Sequence, residues 1–121
     1  MKKIYYNKLI RDKIPERIKE SGGDFKIRKL RAKEFKKELM KKVAEEATGL
    51  LTARTKKELI SELADILDVV EEIKRFKNIK EQQIKKAQQG SERIKGGFKK
   101  RLFLIWSLDT GYKTNERRYK K

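Results

Sequence analysis

Glu45-Glu46-Ala47-Thr48-Gly49-Leu50-Leu51 and, after a short break, Glu58-Leu59-Ile60-Ser61-Glu62-Leu63-Ala64-Asp65-Ile66-Leu67-Asp68 decide the fold, because both runs set acids among apolar residues at helical spacing. Glu62 and Asp65 are i, i+3 neighbours and project from one helix face a turn apart, with Asp68 continuing the row. The break allows only a tight connection, so two antiparallel helices would bring Glu45 and Glu46 alongside Glu62. Gathered carboxylates repel, each unit of pKa shift standing for about 1.4 kcal/mol, and such a cluster usually has a cation to hold. Oxygen-only ligation selects a hard ion, Mg²⁺ or Mn²⁺.

The cluster is an anomaly in this chain. Residues 43–72 carry eight carboxylates against Arg54, Lys56 and Lys57, a local charge of −5, while the whole chain is +17 and the remainder therefore +22. Acids at helical spacing are more often a solvated face. Here Glu62 and Asp65 sit among Leu59, Leu63, Ile66, Leu67 and Val70, apolar on nearly every side, which favours a pocket.

With 121 residues, of which 36% are apolar and 44% charged, the chain has the length of one domain and little material for its core. Two long antiparallel helices with shorter flanking helices leave that core incomplete, so its completion by homo-oligomerisation is expected. Neither cysteine nor histidine is present. That excludes disulfide scaffolds, structural zinc, thiol nucleophiles, histidine-based triads and ordinary haem ligation. No apolar run approaches a membrane span, and Met1-Lys2-Lys3 is followed by no apolar signal core, so a cytoplasmic protein is expected. The positive charge implies attraction to polyanions, whether nucleic acid, anionic lipid or a phosphate-rich small molecule. Lysine and glutamate enrichment also marks proteins from hot environments, so charge alone names no ligand.

Local signals place the elements. Residues 1–7 read as a short strand or extended arm. Pro15 suits the first turn of a short helix ended by Gly22-Gly23, with Ile14 and Ile18 inward. Phe25–Leu30 reads as an extended link. From about Ala32, the residues Phe35, Leu39, Val43, Ala47 and Leu50 form one apolar stripe; Gly49 within it marks a bend or a close approach. Thr55-Lys56-Lys57-Glu58 spells a capping box, predicting a helix from about residue 56 with Leu59, Leu63, Ile66, Val70 and Ile73 on its buried face, widened by Ile60, Leu67 and Val69, and Asn78 at its end. A polar helix is predicted from Ile79 to Lys95, stopped by Gly96-Gly97. Arg101–Leu108 is the most apolar run, a strand or a buried helix turn. The domain is expected over residues 1–109, and a basic tail over 110–121.

Three separated motifs together resemble the phosphoribosyl-ATP pyrophosphohydrolase-like branch of the MazG-like, all-α NTP pyrophosphatases: Asn7-Lys8-Leu9-Ile10-Arg11-Asp12-Lys13-Ile14-Pro15, Glu45-Glu46 with Glu62-Leu63-Ala64-Asp65, and Gly96-Gly97-Phe98. The similarity spans roughly residues 5 to 105. It implies an all-α helical bundle, assembly through helix packing between subunits as a dimer or tetramer, and Mg²⁺-dependent cleavage of a nucleoside triphosphate between its α and β phosphates, giving monophosphate and pyrophosphate, in proteins often regarded as removing non-standard nucleotides. The family's metal pattern, E-E-x-x-E followed by E-x-x-D, is matched at Glu45, Glu46, Glu62 and Asp65, with Gly49 where the third glutamate falls. The resemblance thus implies Glu46, Glu62 and Asp65 as metal ligands, Asp68 as a substitute one turn on, and Glu45 orienting the attacking water. Lys8, Arg11, Lys13 and Arg101 would neutralise phosphate charge. A glutamate restored at position 49 should, on this reading, strengthen metal binding. Three alternatives stay open: a nucleotide-binding relative without turnover, a basic nucleic-acid-binding helical protein, and a purely structural helical oligomer.

Overall fold

A computed structural model describes residues 2–111. They form four helices, α1 (Ile14–Glu20), α2 (Ala32–Thr52), α3 (Lys56–Phe76) and α4 (Glu81–Lys95), and no strand occurs among the described residues. The all-α expectation holds to that extent. The chain divides into two units, Met1–Ile84 and Lys85–Lys121, the boundary falling inside α4. The basic tail expected from Thr110 lies outside the described residues from position 112 onward.

Helix boundaries follow local chemistry. Pro15 stands in the first turn of α1, where its missing N–H loses nothing. The helix closes through Gly22 at φ +80°, with Gly23 N–H donating to the Ile18 carbonyl at 3.0 Å and Gly22 N–H to Lys19 at 2.9 Å, a Schellman closure. At the start of α3, Thr55 Oγ1 accepts from Glu58 N–H at 3.1 Å. The Glu58 carboxylate reaches back to Arg54 N–H at 2.8 Å. Thr55→Ala is expected to cost about 1 kcal/mol of unfolding free energy, read as a lower urea midpoint at constant m; an unchanged midpoint would mean that the cap is idle.

Asn78 ends α3 as its sequence position suggests. Its φ of +55° is left-handed, which asparagine tolerates, and lets Ile79 N–H donate to the Lys74 carbonyl at 2.8 Å. Lys74 itself is buried between the carboxylates of Glu71 and Glu81, which raise its pKa, Glu81 the more strongly. Helix α4 begins at Glu81 rather than Ile79, because Gln83 Oε1 accepts from Lys80 N–H at 2.8 Å and sets the cap there.

The first unit is organised by α2 and α3. Only Ala53–Thr55 joins them, so they run antiparallel: Phe35 near the start of α2 meets Phe76 at the end of α3 edge to face, ring centroids 5.2 Å apart, while Gly49 meets Glu62 at the other end. The α2 stripe is as expected, with Leu39 buried and Phe35, Val43, Ala47 and Leu50 half-buried. The α3 face is rotated from the expected one. Val69 is buried and Ile66, Val70 and Ile73 are half-buried, whereas Leu59, Ile60, Leu63 and Leu67 are exposed. Glu62, Asp65 and Phe76 are the residues that meet α2, with Ile66, Val69 and Ile73 covered along the helix between them, which puts acids into the seam.

Two expectations for extended stretches have different outcomes. Phe25–Leu30 is a link without regular structure, as expected. Residues 101–108 form neither a strand nor a helix turn, and Leu102, Phe103, Ile105 and Trp106 are exposed. A strand needs a partner to take its backbone hydrogen bonds, and no other strand exists among the described residues to supply one.

Candidate metal centre

The rotation of α3 brings Glu62 and Asp65 opposite Glu46 on α2. One carboxylate oxygen from each of Glu46, Glu62 and Asp65 lies within 4.8 Å of the other two, and all three residues are half-buried. Helical spacing sets two of them a turn apart, and the antiparallel hairpin adds the third. Gly49 makes room for the arrangement. A Cβ at position 49 would stand 2.5 Å from Glu62 Oε2 and 2.8 Å from its Cδ, so the glutamate's carboxylate occupies space that only glycine leaves open. Of the two readings of Gly49, a bend or a close approach, the structure selects the close approach.

The electrostatics differ sharply between adjacent residues. Burial raises the pKa of Glu46, as do Asp65, Glu62 and Glu45, against a lowering by Lys42. Its neighbour Glu45 is held below the ordinary carboxylate range, first by a hydrogen bond from Lys8 and then by one from Lys42, against its own desolvation. Lys8 Nζ is 3.1 Å from Glu45 Oε1, and Lys42 Nζ is 3.2 Å from Oε2. Each oxygen of Glu45 therefore has its own lysine.

Arg11 reaches the same face from the segment before α1. Its Nη2 lies 3.0 Å from Asp65 Oδ1 and 2.9 Å from Asp68 Oδ2. Asp68 is thus brought to Arg11, and the cluster of three is Glu46, Glu62 and Asp65. The hydrogen bond to Asp68 is the main reason the Arg11 pKa is raised. Lys13 is exposed at the N-cap of α1 and forms no ion pair among the described residues. Arg101 is exposed in the second unit, at a left-handed φ of +58°. Of the four cations expected at the site, Lys8 and Arg11 meet its acids.

Lys42 was not singled out from the sequence. It lines a groove of about 210 Å³ with Asn7, Lys8, Leu9, Glu38, Lys41 and Glu45. The signal that could have found it is its place three and four residues before Glu45 and Glu46, a spacing at which lysine and glutamate meet on a helix.

A protonation experiment follows from the raised pKa of Glu46. The folded state holds this proton more tightly than the unfolded chain, so the ionised carboxylate costs stability above its raised pKa, and the cost fades as pH falls through it. Metal-free Glu46→Gln is therefore expected to melt above wild type at pH 7. The gap should close once the pH is below the ordinary glutamate range. Melting curves across pH test it, and a variant less stable than wild type at pH 7 would contradict it.

No protein-family model, curated protein or solved structure matches the chain. The chemistry of the donor set speaks for itself. Three carboxylates, with no nitrogen or sulfur ligand among them, fit a hard divalent cation. Among the described residues no helix is long and apolar enough to cross a membrane.

Proposed function

We propose that the protein is a Mg²⁺-dependent nucleoside triphosphate pyrophosphohydrolase of the MazG-like kind, converting a triphosphate and water to monophosphate and pyrophosphate. The observation that carries this reading is the convergence of Glu46, Glu62 and Asp65 from two helices, with the pKa of Glu46 raised by burial and by the neighbouring acids. These three would hold Mg²⁺, with Mn²⁺ a substitute; when bound, the ion supplies neutralisation of phosphate charge. Mg²⁺ commonly takes one or two protein carboxylates and completes its shell with water and phosphate oxygens, so a site without a glutamate at position 49 remains sufficient.

The chain's own groups divide the remaining work. Glu45, kept ionised by Lys8 and Lys42, accepts a hydrogen bond from the attacking water and aims its oxygen at phosphorus. Its lowered pKa makes it an orienting group more than a strong base. Lys8 and Arg11 carry positive charge on the segment beside the acids, where the triphosphate's oxygens need it. Asp68 holds Arg11 in reach. Water's oxygen bonds to phosphorus, the link to the bridging oxygen breaks, pyrophosphate leaves, and the water's proton passes to solvent.

The exposed row Leu59, Ile60, Leu63 and Leu67 suits burial against a second copy, as a dimer or tetramer. A cytoplasmic setting suits the substrate. The runner-up is a relative that binds nucleotide without turnover, favoured by the glycine at position 49. One assay separates the two: nucleoside triphosphates, including non-standard ones, are incubated with protein and Mg²⁺ and the products identified. Pyrophosphate release supports the enzyme; saturable binding without products supports the runner-up. Absence of both, with steep salt-dependent binding to DNA or RNA, would transfer the case to a nucleic-acid-binding protein.

A further inference from the structure

Lys42 lies one turn before the acidic pair on α2, and its side chain is only 16% exposed. Lysine is seldom so covered unless paired. Its Nζ donates to the Leu9 carbonyl oxygen at 3.1 Å and to Glu45 Oε2 at 3.2 Å, and stands 3.9 Å from Glu46 Oε1. An ammonium has three N–H donors, enough for both hydrogen bonds with one to spare.

The segment it grips has little else to hold its main chain. Among the described residues, no backbone-to-backbone hydrogen bond involves residues 2–10. Leu9 follows Lys8, which meets Glu45, and precedes by two residues Arg11, which meets Asp65 and Asp68. Fixing the Leu9 carbonyl therefore fixes the spacing of both cations along the acidic face.

We propose that Lys42 is a positioning residue: by tying the Leu9 carbonyl to Glu45, it holds residues 8–11 over the acidic face so that Lys8 and Arg11 meet the triphosphate. The role of the segment rests on the pyrophosphohydrolase reading above, whereas its anchoring requires no ligand. Lys42 touches no substrate and acts through Lys8, Arg11 and Glu45.

The test uses the full chain as wild type, Lys42→Met and Lys42→Arg. Without ligand, ¹⁵N relaxation reads the backbone order of residues 8–11; Mg²⁺ titration and steady-state kinetics with Mg²⁺-nucleoside triphosphates follow. In Lys42→Met the order parameters are expected to drop from about 0.85 to below about 0.6. They recover in Lys42→Arg, whose guanidinium can also donate to both oxygens. The nucleotide KM rises about tenfold or more in Lys42→Met. Mg²⁺ affinity does not fall, because the change removes a positive charge 3.9 Å from Glu46. A general loss of structure would weaken Mg²⁺ and nucleotide together. Unchanged order parameters in Lys42→Met, or parallel losses of both affinities, overturn the proposal. A loosened segment in a protein whose wild type neither binds nor cleaves nucleotide upholds the anchor and removes the pyrophosphohydrolase reading, so the two failures are distinguishable.

Discussion

Glu62→Gln is expected to lower Mg²⁺-dependent pyrophosphate release by at least about 100-fold, because even outer partners of metal ligands cost 10–100-fold when replaced. Among the three clustered acids, Glu62 gives the cleanest experiment. Asp65 also pairs with Arg11, and Glu46 stands near Lys42, so replacing either disturbs a cation as well as the cluster. Glu62 makes no ion pair among the described residues, and glutamine keeps its shape. The metal-free variant should therefore fold at least as well as wild type, having lost one charge from a repelling group. Wild type should gain melting temperature on adding Mg²⁺, as any ligand of the folded state confers, and the variant should gain much less. Full activity and an undiminished Mg²⁺ shift in Glu62→Gln would remove the acidic cluster from the mechanism.

What could be read from the sequence was what neighbouring residues decide among themselves. Thr55 with Glu58, Pro15, Gly22 and Asn78 each set a helix end through a bond or a backbone angle spanning a few residues, and each end lies where that chemistry puts it. The α2 stripe was equally legible, since Phe35, Leu39 and Val43 repeat with the helix. The buried face of α3 was not. Apolar residues occupy more than half of its circumference, so the face they centre on need not be the one that packs, and the orientation is set by what α2 offers across the seam. There Gly49 leaves room for a carboxylate, which turns Glu62 and Asp65 inward and leaves Leu59 and Leu63 outside. The acidic cluster was thus foreseeable from spacing, but its dependence on a glycine appears only once the helices are paired. Lys42 escaped notice for a related reason. Its partner across space is a main-chain carbonyl, that of Leu9, and sequence carries no mark of a carbonyl in need of a donor.

Gly49→Ala is expected to separate stability from metal binding, raising one and lowering the other. Gly49 lies inside α2, where alanine is favoured over glycine by roughly 0.5–1 kcal/mol. The new Cβ would come 2.5 Å from Glu62 Oε2, too close to coexist, and the end of a flexible glutamate gives way more readily than a helix. Glu62 then swings away from Glu46 and Asp65. Loss of one carboxylate from the group also relieves repulsion on Glu46, adding to the stability gain. Metal-free melting temperature should rise while Mg²⁺ affinity falls about tenfold, within the range seen when a ligand's support is disturbed. The same geometry revises what a restored glutamate would do. Its Cβ enters the space that the Glu62 carboxylate uses, so Gly49→Glu exchanges one carboxylate for another instead of adding to the set, and its Mg²⁺ affinity should not exceed that of wild type. Calorimetric titration of Mg²⁺ into wild type, Gly49→Ala and Gly49→Glu decides the matter. Tighter binding in Gly49→Glu would mean that both glutamates fit around the ion, and equal binding in Gly49→Ala would mean that Glu62 does not contribute from its position beside the glycine.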